Sequence, residues 1–198
     1  MSYTNKTLTF ESDKIYYTDT SFGGDFEVMM DWEDPLMSAS AAYVCEGGGD
    51  ILEIGFGVGI SAGYIQSHSI SSHTIIENHP QIIPLAQEWA KDKPNVTIIS
   101  GSWHDVYKAN KLSTYDGLFF DIWNLGPHHI PFSASLSYLM KSGGNATWWN
   151  NTQDNVPNQY GIPDTEYEVF DVSCKPEDEE FKNSYYPMSK YYLPKKQF

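Results

Sequence analysis

Apolar residues along the chain fall into short unbroken runs separated by glycine, proline and polar clusters, and these runs alternate with stretches of helical period. Asp50, Ile51, Leu52, Glu53, Ile54 form one run, and it leads straight into Gly55, Phe56, Gly57, Val58, Gly59. An apolar run of this kind suits a parallel strand covered on both faces. Ile60 to Gln66 then predicts a helix, so the glycines occupy a strand-to-helix turn. His73 to Ile76 predicts a second strand ending on Glu77, and Pro80 opens a helix with Ile82, Ile83, Leu85, Ala86 and Trp89 mostly on one face, ended by Lys91 to Pro94. Val96 to Ile99, Gly117 to Ile122 and Asn145 to Trp149 are the third, fourth and fifth strands, with a helix over Pro131 to Lys141 before the last. Strands and helices in this alternation predict an α/β fold with a doubly wound, mostly parallel sheet. Ligands in such sheets sit beyond the carboxyl ends of the strands.

The two ends of the chain read differently. Residues 1–24 predict a hairpin or extended cover, with a hinge-like break at Phe22, Gly23, Gly24. Asp34 reads as the N-cap and Pro35 as the first residue of a helix over Leu36 to Cys45, stopped by Gly47 to Gly49. Residues 150–165 are polar, contain proline and show no helical period, so no helix is expected between strands five and six. Glu166 to Val172 predicts a strand, Lys175 to Glu180 an acidic turn, and Tyr185 to Leu193 a returning antiparallel edge strand. The expectation is one seven-stranded domain over 1–198: cover and helix 1–46, core 47–152, shortened strand pair 153–198.

Composition narrows the function. At 198 residues the chain is long enough to bury roughly 70% of its unfolded surface. Its 26 acidic and 12 basic residues give a formal charge of −14, which disfavours a nucleic-acid partner and favours a cationic substrate, unless it only reflects general acidity of the source proteome. Cys45 and Cys174 are its cysteines, no charged-then-apolar leader opens it, and no run reaches the ~18 apolar residues of a membrane span. A reduced cytoplasmic location is therefore expected. His128 and His129 are adjacent and no Cys or His pair has zinc spacing, so no metal is expected.

The strand tips nominate the chemistry. Glycine lets backbone approach a nucleotide closely. Glu77 lies 22 positions after Gly55, close to the roughly 20 at which a ribose-binding carboxylate is expected. A dinucleotide fingerprint has its third glycine three positions after the second, whereas here it follows after two, with Glu53 just upstream. Asp121 at the end of strand four either points into the ligand crevice or caps the next turn. Trp103, beside Ser102, either packs an adenine or is plain core. Glu33 lies beside Trp32 in a cluster with Met29, Met30 and Met37, either in a binding surface or in a cover with solvated acids. Gly59, Ile60, Ser61, Ala62, Gly63 matches a serine nucleophile elbow, but Ser61 comes too late after the strand for that geometry.

The pattern Glu53, Gly55, Gly57, Gly59 looks like motif I of class I methyltransferases, which bind S-adenosylmethionine. With Val28 to Met37, Ile75 to Glu77, Gly101 to Val106 and Asp116 to Asp121, the chain resembles the guanidinoacetate N-methyltransferase family and its sister group, the arginine delta-N-methyltransferases, from about Phe26 to Thr152. That resemblance implies that Gly55, Phe56, Gly57 and Gly59 hold the methionine part of S-adenosylmethionine, that Glu77 takes the ribose hydroxyls, and that Ser102 and Trp103 border the adenine. It counts Met29, Glu53, Asn78 and Asp121 among the cofactor-binding residues as well. It puts the two guanidine-binding carboxylates, which do the catalysis, on Glu33 and Asp121, with Asn151 and Thr152 at the acceptor's own carboxylate. Met30 stands where the family commonly has an acid. The missing helix leaves one face thinly covered and points to a homo-oligomer that covers it. Guanidinoacetate is the first expected acceptor. Free or protein-bound arginine is the alternative, although no added substrate-recruiting domain is seen, and a cofactor-binding module without catalysis is the reading of another class.

Overall fold

The computed structural model describes residues 3–12, 14–19, 24–122, 129–150, 160–172 and 189–198. A three-stranded antiparallel sheet opens the chain: β1 (Thr9–Phe10), β2 (Lys14–Asp19) and β3 (Gly24–Met30), with a short helical turn over Tyr3–Asn5 before it. After a second turn at Asp31–Glu33 comes α1 (Asp34–Val44), followed by β4 (Asp50–Ile54), α2 (Ile60–Gln66), β5 (Ser72–Glu77), α3 (Ile83–Ala90) and β6 (Val96–Ser100). The remainder is α4 (Trp103–Lys108), β7 (Tyr115–Phe120), α5 (His129–Leu139), β8 (Met140–Trp148), β9 (Glu166–Asp171) and β10 (Lys190–Gln197).

The main sheet has the order β6-β5-β4-β7-β8-β10-β9. Strands β4 to β8 are parallel, and the antiparallel β10 pairs with both β8 and β9 at one edge. The fold is thus the mostly parallel α/β class that the sequence pattern predicts. The chain winds outward from β4 through β5 to β6, then returns to the other side of β4 with β7. The switch point between β4 and β7 is where such folds place ligands.

Alternate side chains of the sheet feed two apolar layers. Leu52, Ile54, Leu118 and Phe120 pack with α4 and α5 through Trp103, Phe132 and Leu136, whereas Ile51 and Phe119 pack with Leu36, Met37 and Val44 of α1. α1 lies so close to β7 that a Cβ at Gly117 would sit 2.1 Å from the Val44 carbonyl oxygen. A third cluster, with Ile15, Phe56, Ile75 and Ile82, joins the small sheet to the body. That sheet is also latched to the turn after β5. Leu8 N–H donates to Gln81 Oε1 at 2.7 Å, and the Gln81 amide returns a bond to Leu8 O at 3.3 Å. His79 Nδ1 accepts from Gln81 N–H, which leaves the proton on Nε2, 3.1 Å from Lys6 O.

Several boundaries move from the sequence-based expectation. α1 starts at Asp34, one residue early; Asp34 does not cap it but accepts the Tyr64 hydroxyl at 2.9 Å. α3 starts at Ile83 with Pro84 in its first turn, not at Pro80, and Leu85 is exposed. β8 begins at Met140, and β10 runs to Gln197. The expected acidic turn and the start of the last strand lie outside the described residues, as do 151–159; Tyr160 to Thr165 is non-helical. Among the described residues no helix is long and apolar enough to cross a membrane.

Candidate active site

Beyond the carboxyl ends of β4 and β7 lies a cavity of about 330 Å³. The glycine turn forms its floor because the local backbone leaves no alternative. Gly55, Gly57 and Gly59 have φ of 96°, 57° and 82°, in the region that favours glycine. Gly55 N–H donates to Ile76 O at 2.9 Å, and Asp121 N–H donates to Ile54 O at 2.8 Å. These bonds draw the residues after β4 and β7 together, so that a Cβ at Gly55 would lie 2.2 Å from the Asp121 carbonyl oxygen. A Cβ at Gly57 would lie 2.5 Å from the Met29 methyl, so the small sheet reaches the turn from above.

Glu53 stands behind this turn. It is fully buried, accepts the Ser61 hydroxyl from α2, and has His73 Nε2 3.0 Å from Oε2. The Gln66 amide faces His73 Nδ1 at 3.3 Å. Taking that amide as donor leaves the His73 proton on Nε2, the ring nitrogen nearest Glu53, although the two are not aligned for a hydrogen bond. Glu53 therefore ties β4 to α2 and β5 and holds both ends of the glycine turn without facing the cavity. Ser61, fully buried in this pairing, is no exposed nucleophile.

Glu77 does line the cavity. Its carboxylate accepts main-chain N–H groups from Phe56 at 2.9 Å, Asn78 at 2.7 Å and His79 at 2.7 Å. A carboxylate has about four acceptor positions, so one remains for a ligand. Phe56 contributes its main chain here, while its ring packs under Gly59 and against Trp89. Ser102 caps α4, accepting Asp105 N–H at 3.2 Å, and is not among the described cavity residues. Trp103 is both core and wall: it meets Phe120 edge-on at 5.2 Å and still borders the cavity.

Two further acids line the cavity. Glu33 is buried and accepts Met30 N–H at 2.8 Å, while Asp121 is partly open to the cavity. Burial pushes the Asp121 carboxyl well above its ordinary range, and the negative charges of Glu33, Glu53 and Glu77 push it further. Glu27 also borders the cavity; burial raises its carboxyl, and its Oε2 has no hydrogen-bond partner. Four carboxylates and no lysine stand among the described cavity residues, so the site favours cations.

The structure thus gathers Met29, Glu33, Gly55, Gly57, Glu77, Asn78, Trp103 and Asp121 of the expected site around one cavity. Glu53, Phe56, Gly59 and Ser102 support it from behind. Asn151 and Thr152 lie outside the described residues. Sequence reasoning missed Tyr3, Tyr17 and Glu27 from the cover, and Trp149 just after β8. Strand alternation alone does not say which cover residues reach the cavity. Trp149 was findable, because it stands at the end of predicted strand five as Asp121 does at the end of strand four.

Comparison with known proteins gives a consistent picture. A family model described as Guanidinoacetate N-methyltransferase matches residues 18–160. Protein arginine N-methyltransferase 2 of Aspergillus oryzae is 30% identical over 154 residues, covering 75% of this chain and 36% of that protein. The protein of the same name from Kluyveromyces lactis is 27% identical over 224 residues, covering 100% of this chain and 53% of that one. The chain therefore spans about a third to a half of the length of these relatives. Among solved structures, a putative SAM-dependent methyltransferase from Streptococcus mutans superposes with a TM-score of 0.61 at 11% identity, over 99% of this chain and 57% of that one. At such identity the likeness is one of fold.

Proposed function

This chain belongs to the guanidinoacetate N-methyltransferase family, and from that premise we propose that it is an S-adenosylmethionine-dependent N-methyltransferase whose acceptor is a guanidino group, with arginine as the acceptor class. Arginine takes precedence over the guanidinoacetate first expected because the curated relatives carry arginine N-methyltransferase names. The observation that carries the reading is the close approach of the Asp121 main chain to Gly55, at a cavity whose lining includes the bare glycine turn and the carboxylates of Asp121 and Glu33.

The residues fit the cofactor. The turn offers backbone that a single Cβ would obstruct at Gly55 and Gly57, and Glu77 keeps an acceptor position for a ribose hydroxyl. When bound, S-adenosylmethionine supplies a methyl group on a sulfonium. The protein's task is then to place the acceptor nitrogen and remove its proton.

That task is demanding, because a guanidinium has a pKa above about 12 and its neutral form costs about 7 kcal/mol at neutral pH. Glu33 and Asp121 supply the remedy in two parts. Hydrogen bonds from the guanidinium to two carboxylates localise positive charge on the bonded nitrogens and leave electron density on the third. Asp121, already held at a raised pKa, accepts the proton as that nitrogen becomes bonded to carbon. The arriving cation also neutralises the repulsion among the acids, so substrate binding ionises its own base.

Labelled S-adenosylmethionine offered with an arginine peptide, free arginine, guanidinoacetate and simple amines tests this. The expected result is methylation of a guanidino acceptor with arginine forms preferred, abolished by Asp121→Asn. Cofactor binding with methylation of none would refute the reading and favour a binding module.

A further inference from the structure

The two carboxylates account for the edges of a bound guanidinium, where its N–H groups lie, but not for its flat faces. Strand β8 lies parallel beside β7 with Phe120 opposite Trp148, and Trp149 N–H donates to Phe120 O at 2.8 Å. One residue further along, Trp149 therefore stands opposite Asp121 at adjoining strand ends. Its indole is 3% exposed and borders the same cavity as Asp121 and Glu33.

Trp149 is also held firmly. Its ring packs against Trp32, the residue before Glu33, at 6.4 Å and 60°, and against Tyr191 of β10 at 5.0 Å and 36°. The Tyr191 hydroxyl accepts the N–H of Asn150, the next residue, at 2.9 Å. One aromatic side chain thus meets the segments that carry both carboxylates and is braced from behind by the antiparallel strand.

We propose that Trp149 is the platform on which the planar cation of the acceptor lies, making it a specificity-determining residue of this site; the proposal rests on the guanidino-methyltransferase reading. Arginine-type cations are planar and weakly hydrated, and they stack on aromatic faces, among which tryptophan is the strongest. In-plane carboxylates with a stacked indole select a delocalised flat cation over a compact, strongly hydrated ammonium.

The test measures acceptor KM, kcat and the Kd for S-adenosylhomocysteine in the full chain and in Trp149→Phe and Trp149→Leu, with N-acetylarginine methylamide as acceptor. Trp149→Leu is expected to raise KM roughly tenfold, with kcat changed much less and the S-adenosylhomocysteine Kd within about twofold. Trp149→Phe, which keeps an aromatic face, should recover most of the loss. A wild-type KM in Trp149→Leu would overturn the proposal. So would equal losses in both variants with weakened S-adenosylhomocysteine binding, since that is the mark of packing alone. If the unaltered protein bound S-adenosylhomocysteine but methylated no guanidine, the proposed function would fall first and this inference with it.

Discussion

Adding a single methyl group at Gly55 tests whether the glycine turn and Asp121 are one mechanical unit. The new Cβ of Gly55→Ala would lie 2.2 Å from the Asp121 carbonyl oxygen, while even close C···O contacts are about 3.3 Å. The two chains must therefore separate by about 1 Å. With φ at 96°, alanine also incurs roughly 1–2 kcal/mol of backbone strain. Weakening the bond from Asp121 N–H to Ile54 O adds about 1 kcal/mol. The sum, about 2–3 kcal/mol, corresponds to a fall of about 4–12 °C in Tm for a chain of this size. Gly63→Ala is the internal control: it lies in α2 with nothing within 4 Å of its Cβ, so it should be neutral or stabilising by up to ~1 kcal/mol. Thermal melts of both variants, with titration by S-adenosylhomocysteine, decide the matter. A displaced turn should weaken that binding at least tenfold in Gly55→Ala and leave it unchanged in Gly63→Ala. Equal Tm values for the two variants, or wild-type affinity in Gly55→Ala, would refute the argument.

Three other outcomes follow from the same geometry. Asp121→Asn should abolish methyl transfer while keeping S-adenosylhomocysteine affinity within about threefold, as calorimetry would show. Because the native state holds the Asp121 proton more tightly than the unfolded chain, the carboxylate costs stability as pH rises from its ordinary range through the raised pKa. The stability gained by Asp121→Asn in urea melts should accordingly grow as pH rises above the ordinary carboxylate range, and the acid limb of wild-type kcat/KM should lie above that range. Glu77→Gln turns an amide toward main-chain donors, so melts should show about 1–3 kcal/mol lost together with weaker S-adenosylhomocysteine binding. Lys141→Met, by contrast, removes a partly exposed bridge to Asp50 and Asp116, so any loss of stability in urea melts should be small beside that of Glu77→Gln and should shrink as salt is added.

What could be read from the sequence was decided by how local each determinant is. The strands β4 to β7 and α2 follow from runs and periods within a few residues, and there the pattern and the structure agree closely. The start of α3 is set instead by side chains that capture main-chain donors. Glu77 takes the Asn78 and His79 N–H groups and His79 takes that of Gln81, so 78–82 is a turn whatever Pro80 signals. β10 was misplaced for a similar reason. Pro194 reads as a strand stop, yet it sits opposite Tyr167 of β9, while pairing with β8 comes only at Lys196 and Gln197. In the site, Glu77 and Asp121 were legible from position, since each stands at the end of a predicted strand, whereas Glu33 follows β3, which the sequence pattern did not predict, and was nominated by the family resemblance. Glu53 was legible as a motif residue but not in its orientation. Its side chain goes to the face of β4 that meets His73 and Ser61, a fact of sheet register that spacing does not carry.

The turn at residues 78–81 serves two masters. Its main-chain donors hold the Glu77 carboxylate on one side, and its His79 and Gln81 side chains hold the amino-terminal cover on the other. A ligand that engages Glu77 therefore meets the turn that fastens the cover, and the cover supplies Tyr3 and Tyr17 to the same cavity. Whatever factor the latched cover adds to ligand affinity, the ligand must return as resistance of the first strands to peeling away.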